Sequence, residues 1–409
     1  MPFADRRPRV IPLAAVLGAA TALALAGCSG TTAAGSDPSA SGGPTTVNVT
    51  LSAGANGDEC AADTTTAKAG PVTFSVQNES ATGIIEFELL QDQRIVGEKE
   101  NLAPGLGPVS FTVTLDGGKY QLYCPGATTA LTDFTVTGTA AKAATGDTAE
   151  LLADGASGYA TYVSDRLDDL LDGAKKLQAA IDAGALDQAQ TAYAGTRQFY
   201  EKVESDVSGF IKPGSDPTDN AGNLDYLIDM RASNLDPEVG WHGFHAIERD
   251  LWKNGKITDD TKKLAAELVS NVTTLDDLSG DLAFKPEDLA NGAAGLLEEV
   301  QSNKITGEEE AYSHIDLVDL ASNVEGARQA FAYLEPGLTK INSDLTTQIT
   351  AQFENVDDVL ANYRDANALG GYVTYDDATK KAAANEISQA VQALQDPLSQ
   401  LAQKVAAAS

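Results

Sequence analysis

The residues of this chain best suited to metal chemistry are His245 and Glu248. The 409-residue sequence has 3 histidines, and two of them, His242 and His245, are only three residues apart. Asp236 followed by Pro237 predicts a helix start, because Asp caps helices and Pro favours the first helical position. On that helix His245 and Glu248 would be about 60° apart and inside the apolar arc. Such an inward pair can hold a metal if neighbouring helices add carboxylates, or it can be a core histidine that pairs with a glutamate.

Three further carboxylates are predicted to face the same core. Asp316 lies within about 50° of the centre of an apolar helix face, whereas His314 lies near the rim of that face. The same test selects Glu299 and Glu204 on two other helices. One nitrogen with several carboxylate oxygens suits iron better than zinc–thiolate or copper–thioether chemistry. For both glutamates a solvated helix rim is the alternative.

An all-α bundle must position these side chains. From residue 151 to 409 apolar residues recur every three or four positions, which is typical of amphipathic helices. Thr306 and Glu309 are spaced as a capping box for one of them. Helices are expected at about 151–181, 185–210, 237–254, 259–277, 286–302, 307–334, 338–364 and 375–407.

A different pattern precedes the bundle. Short alternating segments separated by Gly, Asn and Pro indicate a β-sandwich over 46–138, and 139–150 reads as a linker. Strands are expected at Val47–Leu51, Val72–Val76, Ile84–Leu90, Val109–Leu115, Tyr120–Tyr123 and Phe134–Val136.

The N-terminus has the pattern of an export signal. Three arginines among the first nine residues precede an apolar run over 10–26, and 25–28 reads Leu-Ala-Gly-Cys, a lipobox. This pattern predicts a lipoprotein signal over 1–27, a lipid on Cys28 and a flexible tether over 28–45. An ordinary secretory signal is the alternative, and both Sec and twin-arginine export remain open.

The charge of the chain excludes one class of partner. The formal net charge is −31 and becomes −33 when residues 1–27 are removed. So acidic a protein repels nucleic acid and anionic membrane surfaces but attracts cations. Beyond Cys28 the only cysteines are Cys60 and Cys124, which in an oxidising compartment default to a disulfide.

Taken together, the order of segments and several motifs resemble the EfeO family, the extracytoplasmic components of EfeUOB iron uptake systems. That family joins a cupredoxin-like sandwich to an imelysin-like helical domain. The motifs are Gly243-x-His245-x-x-Glu248, Leu296–Val300, Lys304–Glu309, Tyr312–Leu317, Asn323–Ala327, Ile85–Glu88 and Glu98–Pro104.

The resemblance implies iron capture for delivery to a membrane permease, with a haem peroxidase in the same system. It also implies a second metal site in the sandwich, and it leaves copper or zinc open there beside iron. The cysteines would then be thiolate ligands instead of a disulfide, and the two alternatives stay open. The residues implied for that site are Cys60, Cys124, Glu86, Glu98 and Glu100.

Two kinds of enzyme and one structural role compete with a binding protein. Imelysin-like domains also carry a metallopeptidase name, but a zincin needs His-Glu-x-x-His and this sequence has no His-Glu dipeptide. A ferroxidase with type 1 copper needs histidines and a methionine, and residues 46–138 contain neither. A structural adhesin would not need the inward His-x-x-Glu pair.

Overall fold

The N-terminal part of the chain is a two-sheet β-sandwich. The computed structural model describes residues 45–92, 94–139, 144–280 and 282–409. One sheet has the strand order β2-β1-β4-β7 and the other β3-β9-β8-β5-β6. The strands are β1 Thr45–Gly54, β2 Gly57–Ala62, β3 Thr66–Lys68, β4 Gly70–Asn78, β5 Phe87–Gln91, β6 Arg94–Lys99, β7 Val109–Leu115, β8 Gly118–Tyr123 and β9 Leu131–Thr137.

Aromatic rings from both sheets form the centre of the sandwich. Phe74 stacks on Phe111 with ring centroids 5.3 Å apart, and Phe134 packs 5.5 Å from Phe74. All three side chains are buried because they occupy alternate, inward positions of their strands. The predicted sandwich is therefore confirmed.

Three strands were not predicted from the sequence. β2 reads Gly-Asp-Glu-Cys-Ala-Ala and β6 reads Arg-Ile-Val-Gly-Glu-Lys, so neither alternates cleanly. β6 carries polar residues because its outer face packs against the helical part and not against water. β3 has only three residues.

The C-terminal part of the chain is helical. The helices are α1 Asp147–Asp182, α2 Leu186–Glu201, α3 Glu204–Val207, α4 Leu224–Asp229, α5 Gly243–Glu248, α6 Asp259–Ser279, α7 Pro286–Ser302, α8 Asp316–Ala361, α9 Asp377–Leu398 and α10 Leu401–Ala406. Shorter 3-10 turns cover Ala232–Asn234, Lys304–Thr306 and Leu369–Gly371, and a π-helical turn, Arg249–Lys253, continues α5.

The predicted helix over 237–254 is wrong in its first half. Asp236 caps a turn instead, since its carboxylate accepts the N–H of Glu238 at 2.8 Å. Gly240 (φ 94°) and Gly243 (φ 72°) have left-handed backbones, which interrupt a helix. α5 therefore begins at Gly243, only two residues before His245.

The predicted helix over 307–334 also begins too early. Residues 307–315 form an irregular segment, here called the pre-α8 loop, and the helix begins at Asp316. The capping box of Thr306 and Glu309 is accordingly wrong, because Glu309 turns into the core. The two helices expected over 307–364 are one long helix, α8, interrupted only by a non-helical Asn342.

The sandwich packs directly on the helical part, and the two belong to one compact unit. Lys99 of β6 forms a 2.6 Å ion pair with Glu298 of α7. The N–H of Ile95 donates to the carbonyl of Gly209 at 3.1 Å. Asn291 donates to the carbonyl of Thr112 at 2.7 Å. These contacts hold β6 and β7 against α7 and hold β6 against the segment after α3.

The membrane-related expectations concern a part of the chain that is not described. The signal over 1–27, Cys28 and all but the last residue of the tether lie outside the described residues. Among the helices that are described, none combines the length and the apolar composition that a membrane span requires.

Candidate metal centre

The candidate centre lies where α4, α5 and the pre-α8 loop meet. His245 and Glu248 come from α5, Asp229 ends α4, and Glu309 and Glu310 lie in the loop. All five residues are buried, with His245 and Glu248 each 1% exposed. The site is therefore inside the helical domain and shielded from bulk water.

Gly243 sets the position of α5. Its φ of 72° is left-handed, and a Cβ at this position would overlap the carbonyl oxygen of Ile228 in α4. Only glycine avoids both conflicts. The close approach of the two helices brings His245 beside Asp229.

Four carboxylates surround the imidazole of His245 at similar distances. Nε2 lies 3.6 Å from Asp229 and 3.5 Å from Glu309, while Nδ1 lies 3.6 Å from Glu248 and 4.0 Å from Glu310. Ligands about 2.1 Å from a shared ion lie roughly 3–4 Å from each other, so this spacing fits a bound cation. These residues form two groups of three, which are Asp229, His245 and Glu309 at Nε2, and His245, Glu248 and Glu310 at Nδ1. Within each group the ligand atoms lie within 4.8 Å of one another.

Four buried atoms of this group lack a hydrogen-bond partner among the described residues. They are Nδ1 and Nε2 of His245, Oε2 of Glu248 and Oδ1 of Asp229, the last of which contacts the guanidinium of Arg197. Buried polar atoms in folded proteins are normally paired, and those left unpaired call for an explanation such as an ion. Here they fall on two sides of the imidazole, with Oδ1 of Asp229 facing Nε2 and Oε2 of Glu248 facing Nδ1.

Neighbouring groups hold the carboxylates in position. Oε1 of Glu248 accepts the backbone N–H groups of Tyr312 and Ser313, both at 2.7 Å. Glu310 accepts the hydroxyl of Tyr193 at 2.9 Å and that of Ser313. With one oxygen of Glu248 occupied in this way, the other remains directed at His245.

Two fully buried cations balance part of the negative charge. Arg197 of α2 and Lys304 are both 0% exposed. Nζ of Lys304 lies 3.0 Å from Glu201 and 3.2 Å from Glu309. The guanidinium of Arg197 contacts Glu201, Asp229, Glu309, Glu310 and Asp319.

The pKa of His245 is shifted in opposite directions by its neighbours. Burial and the nearby Arg197 lower the pKa of His245, but its contacts with Glu248 and Glu309 outweigh them and leave that pKa raised. The surrounding carboxylates therefore favour a positive charge at this position. A metal ion would supply that charge and would displace the proton.

The pKa values of Glu309 and Glu310, the two loop glutamates of the centre, are shifted in opposite directions. Burial raises the pKa of Glu309, but Lys304 and Arg231 outweigh burial and hold it well below its usual range. Burial and repulsion from Glu248 raise the pKa of Glu310 well above its usual range. Glu310 can therefore hold a proton that a bound cation would expel.

Asp316, the first ligand predicted in addition to His245 and Glu248, is the first residue of α8 and contacts the pre-α8 loop. Its Oδ1 accepts the N–H of Glu310 at 3.1 Å, and burial raises its pKa to about 7. Asp316 belongs to neither group around His245. His314 is exposed at a left-handed backbone position (φ 57°).

Glu204 and Glu299, predicted as ligands of the same centre, line a cavity between the two domains instead. Glu299 pairs with Arg231 at 3.1 Å, and Glu204 lies 3.7 Å from Lys304. Neither belongs to the groups around His245.

The sandwich residues divide into two sets. Cys60 and Cys124 form a disulfide, so neither sulfur carries the thiolate charge of a metal ligand, and their predicted role as ligands is corrected. This also removes the soft donors that would favour copper or zinc in the sandwich. Glu86, Glu98 and Glu100 lie on the hairpin of β5 and β6 and at its ends, facing the helical part.

Sequence reasoning missed Asp229, Glu309, Glu310 and Arg197. Glu309 and Glu310 belong to a run of three glutamates, Glu308–Glu310, in the first turn of the helix that the sequence predicts over 307–334, with Glu309 in its capping box. The signal that could have identified them is Gly307, whose left-handed backbone (φ 71°) ends the preceding turn and directs the chain inward. Asp229 and Arg197 carry no local signal of this kind.

Comparison with known proteins agrees with this architecture. Residues 155–401 match the family model described as Imelysin. Proteins named "Iron uptake system component EfeO" from Escherichia coli K12 and Shigella flexneri are each 35% identical to this chain over 332 residues. The match covers 80% of this chain and 84% of each relative. The chain belongs to the imelysin family and, within it, to the EfeO-type iron uptake components.

One solved structure is also similar. It is a protein from Parabacteroides distasonis, provisionally described as an iron-regulated protein A precursor. It is 15% identical, covers 64% of this chain and 96% of its own, and has a TM-score of 0.46. A likeness at this level carries no argument about function.

We predict that Gly243→Ala weakens iron binding by at least about tenfold, because a left-handed alanine costs about 1–3 kcal/mol and its Cβ displaces α5 from α4. Calorimetric titration under anaerobic conditions measures this. Gly195→Ala in α2 is the matched control, since nothing lies within 4 Å of its new Cβ. Equal affinity of the two variants would show that the position of α5 does not determine binding.

Proposed function

We propose that this protein captures iron outside the cytoplasm and holds it in the helical domain at His245. The ligands are His245 with carboxylates drawn from Asp229, Glu248, Glu309 and Glu310. Iron is the cargo, which is bound and then handed over without being consumed.

The observation that carries this proposal is the set of unpaired, buried atoms around one imidazole. Both nitrogens of His245 and Oε2 of Glu248 lack hydrogen bonds among the described residues, and carboxylate oxygens lie 3.5–4.0 Å from those nitrogens. An imidazole with several carboxylates is a donor set that iron accepts, as in bundle proteins whose iron ligands come from facing helices. The names of the EfeO relatives support iron as the cargo.

The same site argues against peptide hydrolysis. A zincin places two histidines on one helix with a glutamate between them as general base. Here the second histidine of the segment, His242, lies outside the group and contacts Glu267 at 3.0 Å. The imelysin domain is therefore proposed to bind metal without hydrolysing peptides, and a peptidase or ferroxidase is the alternative.

We also propose that the sandwich is cupredoxin-like in topology but not in metal chemistry. The β-sandwich has parallel pairs β1–β4 and β3–β9 within mixed sheets. Its two cysteines are joined, and residues 46–138 contain no histidine or methionine. Its proposed role is to present carboxylates to the helical domain.

The proposed partners follow from the EfeO resemblance. They are a membrane iron permease of the EfeU type, which receives the iron, and a haem peroxidase of the EfeB type. The net charge of −31 favours cationic cargo over nucleic acid.

We predict that His245→Ala and Glu248→Gln each weaken iron binding by about a hundredfold or more while the helical content is unchanged. Each removes a ligand, and changes even to groups that only support the ligands cost about 10–100-fold. His242→Ala is the matched control, because it removes an imidazole three residues away that lies outside the group. Anaerobic titration with Fe(II), and with Fe(III) citrate in parallel, measures the affinities. Wild-type affinity in both ligand variants would place the site elsewhere.

The proposed location is the outer face of the cell membrane, with Cys28 carrying the lipid. We predict that Cys28→Ser moves the protein from the membrane fraction to the soluble fraction, because stable anchoring at the lipobox depends on that lipid. Immunoblotting of fractions after a high-salt wash measures this, with Ser29→Ala, a change at the next residue that keeps Cys28, as the control. Persistent membrane association of the Cys28 variant would contradict a lipid anchor.

A further inference from the structure

The guanidinium of Arg197 contacts three of the oxygen atoms that are proposed to bind iron. These atoms are Oδ1 of Asp229, Oε1 of Glu309 and Oε1 of Glu310, and each of them faces the imidazole of His245. The oxygens of Glu309 and Glu310 lie 3.1 Å and 3.2 Å from nitrogens of Arg197, and Oδ1 of Asp229 is also in contact. One cation of the protein therefore pairs with the same oxygens that an iron ion would need.

Iron and this guanidinium compete for those oxygens. An ion bound to them would lie within about 5 Å of the guanidinium nitrogens, since metal–oxygen bonds are about 2.0–2.2 Å long. Arg197 is fully buried, so bulk water does not screen the repulsion between the two cations. Binding of iron at these oxygens therefore favours a movement of the Arg197 side chain.

The guanidinium is hydrogen-bonded at only one of its three nitrogens. Nη2 donates to Glu201, one turn further along α2, and to Glu309 at 3.1 Å. Nη1 and Nε, which contact Asp229 and Glu310, form no hydrogen bond among the described residues. Two of the three contacts with proposed ligands thus depend on charge alone. The hydrogen bond to Glu201 can persist while the rest of the guanidinium turns.

A second set of acceptors adjoins Nη2. Asp319 of α8 is fully buried, its Oδ2 lies 3.6 Å from Nη2, and it belongs to neither group around His245. Neither carboxylate oxygen of Asp319 has a hydrogen bond within the described part of the chain. Asn323, one turn later on the same helix, donates to Glu201 and has an unpaired Oδ1 there as well. Unpaired buried acceptors call for a donor, and Arg197 is close enough to supply one to Asp319.

The protonation of Asp319 is consistent with a reserve role. Burial raises the pKa of this carboxyl group well above its usual range, although the nearby Arg197 opposes the shift. Asp319 therefore favours its neutral form while the guanidinium remains on the oxygens that face His245. Closer approach of the guanidinium would favour the carboxylate, because an opposite charge stabilises the ionised form.

We propose that Arg197 is an internal competitor of iron, which holds the ligand oxygens of the centre until iron binds and then turns onto Asp319. This role rests on the proposed function, since it gives Arg197 a part in binding at His245. An internal competitor stabilises the metal-free protein and lowers the affinity for iron. The returning guanidinium also replaces the departing ion, which suits a protein that hands its cargo over.

The first test is anaerobic calorimetric titration of the full chain with Fe(II). Arg197→Gln should bind Fe(II) at least about tenfold more tightly than the wild type, because a competing charge is gone from a site of low dielectric constant. A residue that only supported the ligands would have the opposite effect, since its loss weakens binding. Arg197→Lys keeps the charge and should bind no more tightly than the wild type. Arg328→Gln is the charge-matched control, because this partly exposed arginine of α8 pairs with Asp357 instead.

The second test concerns the acceptor. Asp319→Asn should weaken Fe(II) binding at least about tenfold, since the displaced guanidinium loses the charge that receives it. Asp344→Asn, at an exposed carboxylate of the same helix, is the control. In the Arg197→Gln background Asp319→Asn should have no further effect, because Asp319 acts only through Arg197. An equal weakening in that background would show that Asp319 acts on the ion directly, and it would overturn the exchange.

Thermal unfolding gives an independent readout. Without metal, Arg197→Gln should melt at a lower temperature than the wild type, because the carboxylates around it lose their counter-charge. Asp319→Asn should melt close to the wild type, since the oxygens of Asp319 have no hydrogen bond to lose among the described residues. Added Fe(II) should raise the melting temperature of Arg197→Gln by more than that of the wild type, because a tighter ligand stabilises the folded state more.

Titration of His245→Ala in parallel separates the two proposals. If that variant loses binding, weaker or unchanged affinity in Arg197→Gln would overturn the competitor role and leave the proposed function standing. Wild-type affinity in His245→Ala would contradict the proposed function itself, and the competitor role with it. If Arg197→Gln does not fold, wild-type affinity in Asp319→Asn would overturn the competitor role.

Discussion

The structure depends on burying more negative than positive charge at one place. Seven carboxylates around the centre are buried, and the fully buried cations among them are Arg197 and Lys304. The carboxylates are Glu201, Asp229, Glu248, Glu309, Glu310, Asp316 and Asp319. An isolated buried charge is costly, so each must pair with a cation, accept hydrogen bonds or take up a proton. All three solutions are present, and a bound metal ion would be a fourth.

Different partners stabilise different carboxylates, and some oxygens beside His245 keep no partner. Glu201 is held by Arg197, Lys304 and Asn323, and Asp316 by a backbone N–H. Unpaired buried oxygens among the described residues lie both beside His245, at Oε2 of Glu248 and Oδ1 of Asp229, and farther away, at Asp316 and Asp319. Those beside the imidazole are the ones that a cation bound to His245 could pair with. Local dissatisfaction of this kind is typical of functional sites in otherwise consistent structures.

The class of the fold and the pair His245 and Glu248 could be predicted from the sequence, because both predictions rest on periodic patterns. Amphipathic repeats located α1, α6 and α7 closely, and alternating residues located β7. His245 and Glu248 were found because their spacing on a helix follows from i, i+3 geometry alone. Their ligand role remains a proposal.

The remaining ligand candidates depend on tertiary structure that no periodicity reports. Glu309 and Glu310 lie in an irregular loop, and Asp229 ends a helix of six residues that was not predicted. The helix-face argument also failed for Glu204 and Glu299, since a position bordering a core does not specify which core. The sandwich packs on that side of α7, so both glutamates meet the interdomain cavity instead of His245.

The most direct measurement is the position of iron in crystals of the iron-loaded protein, located by anomalous scattering at the iron absorption edge. The account predicts a peak about 2.0–2.2 Å from one nitrogen of His245 and from oxygens of at least two of Asp229, Glu248, Glu309 and Glu310, which are normal metal–ligand distances. A fully occupied iron peak elsewhere, with no peak beside His245, would contradict it.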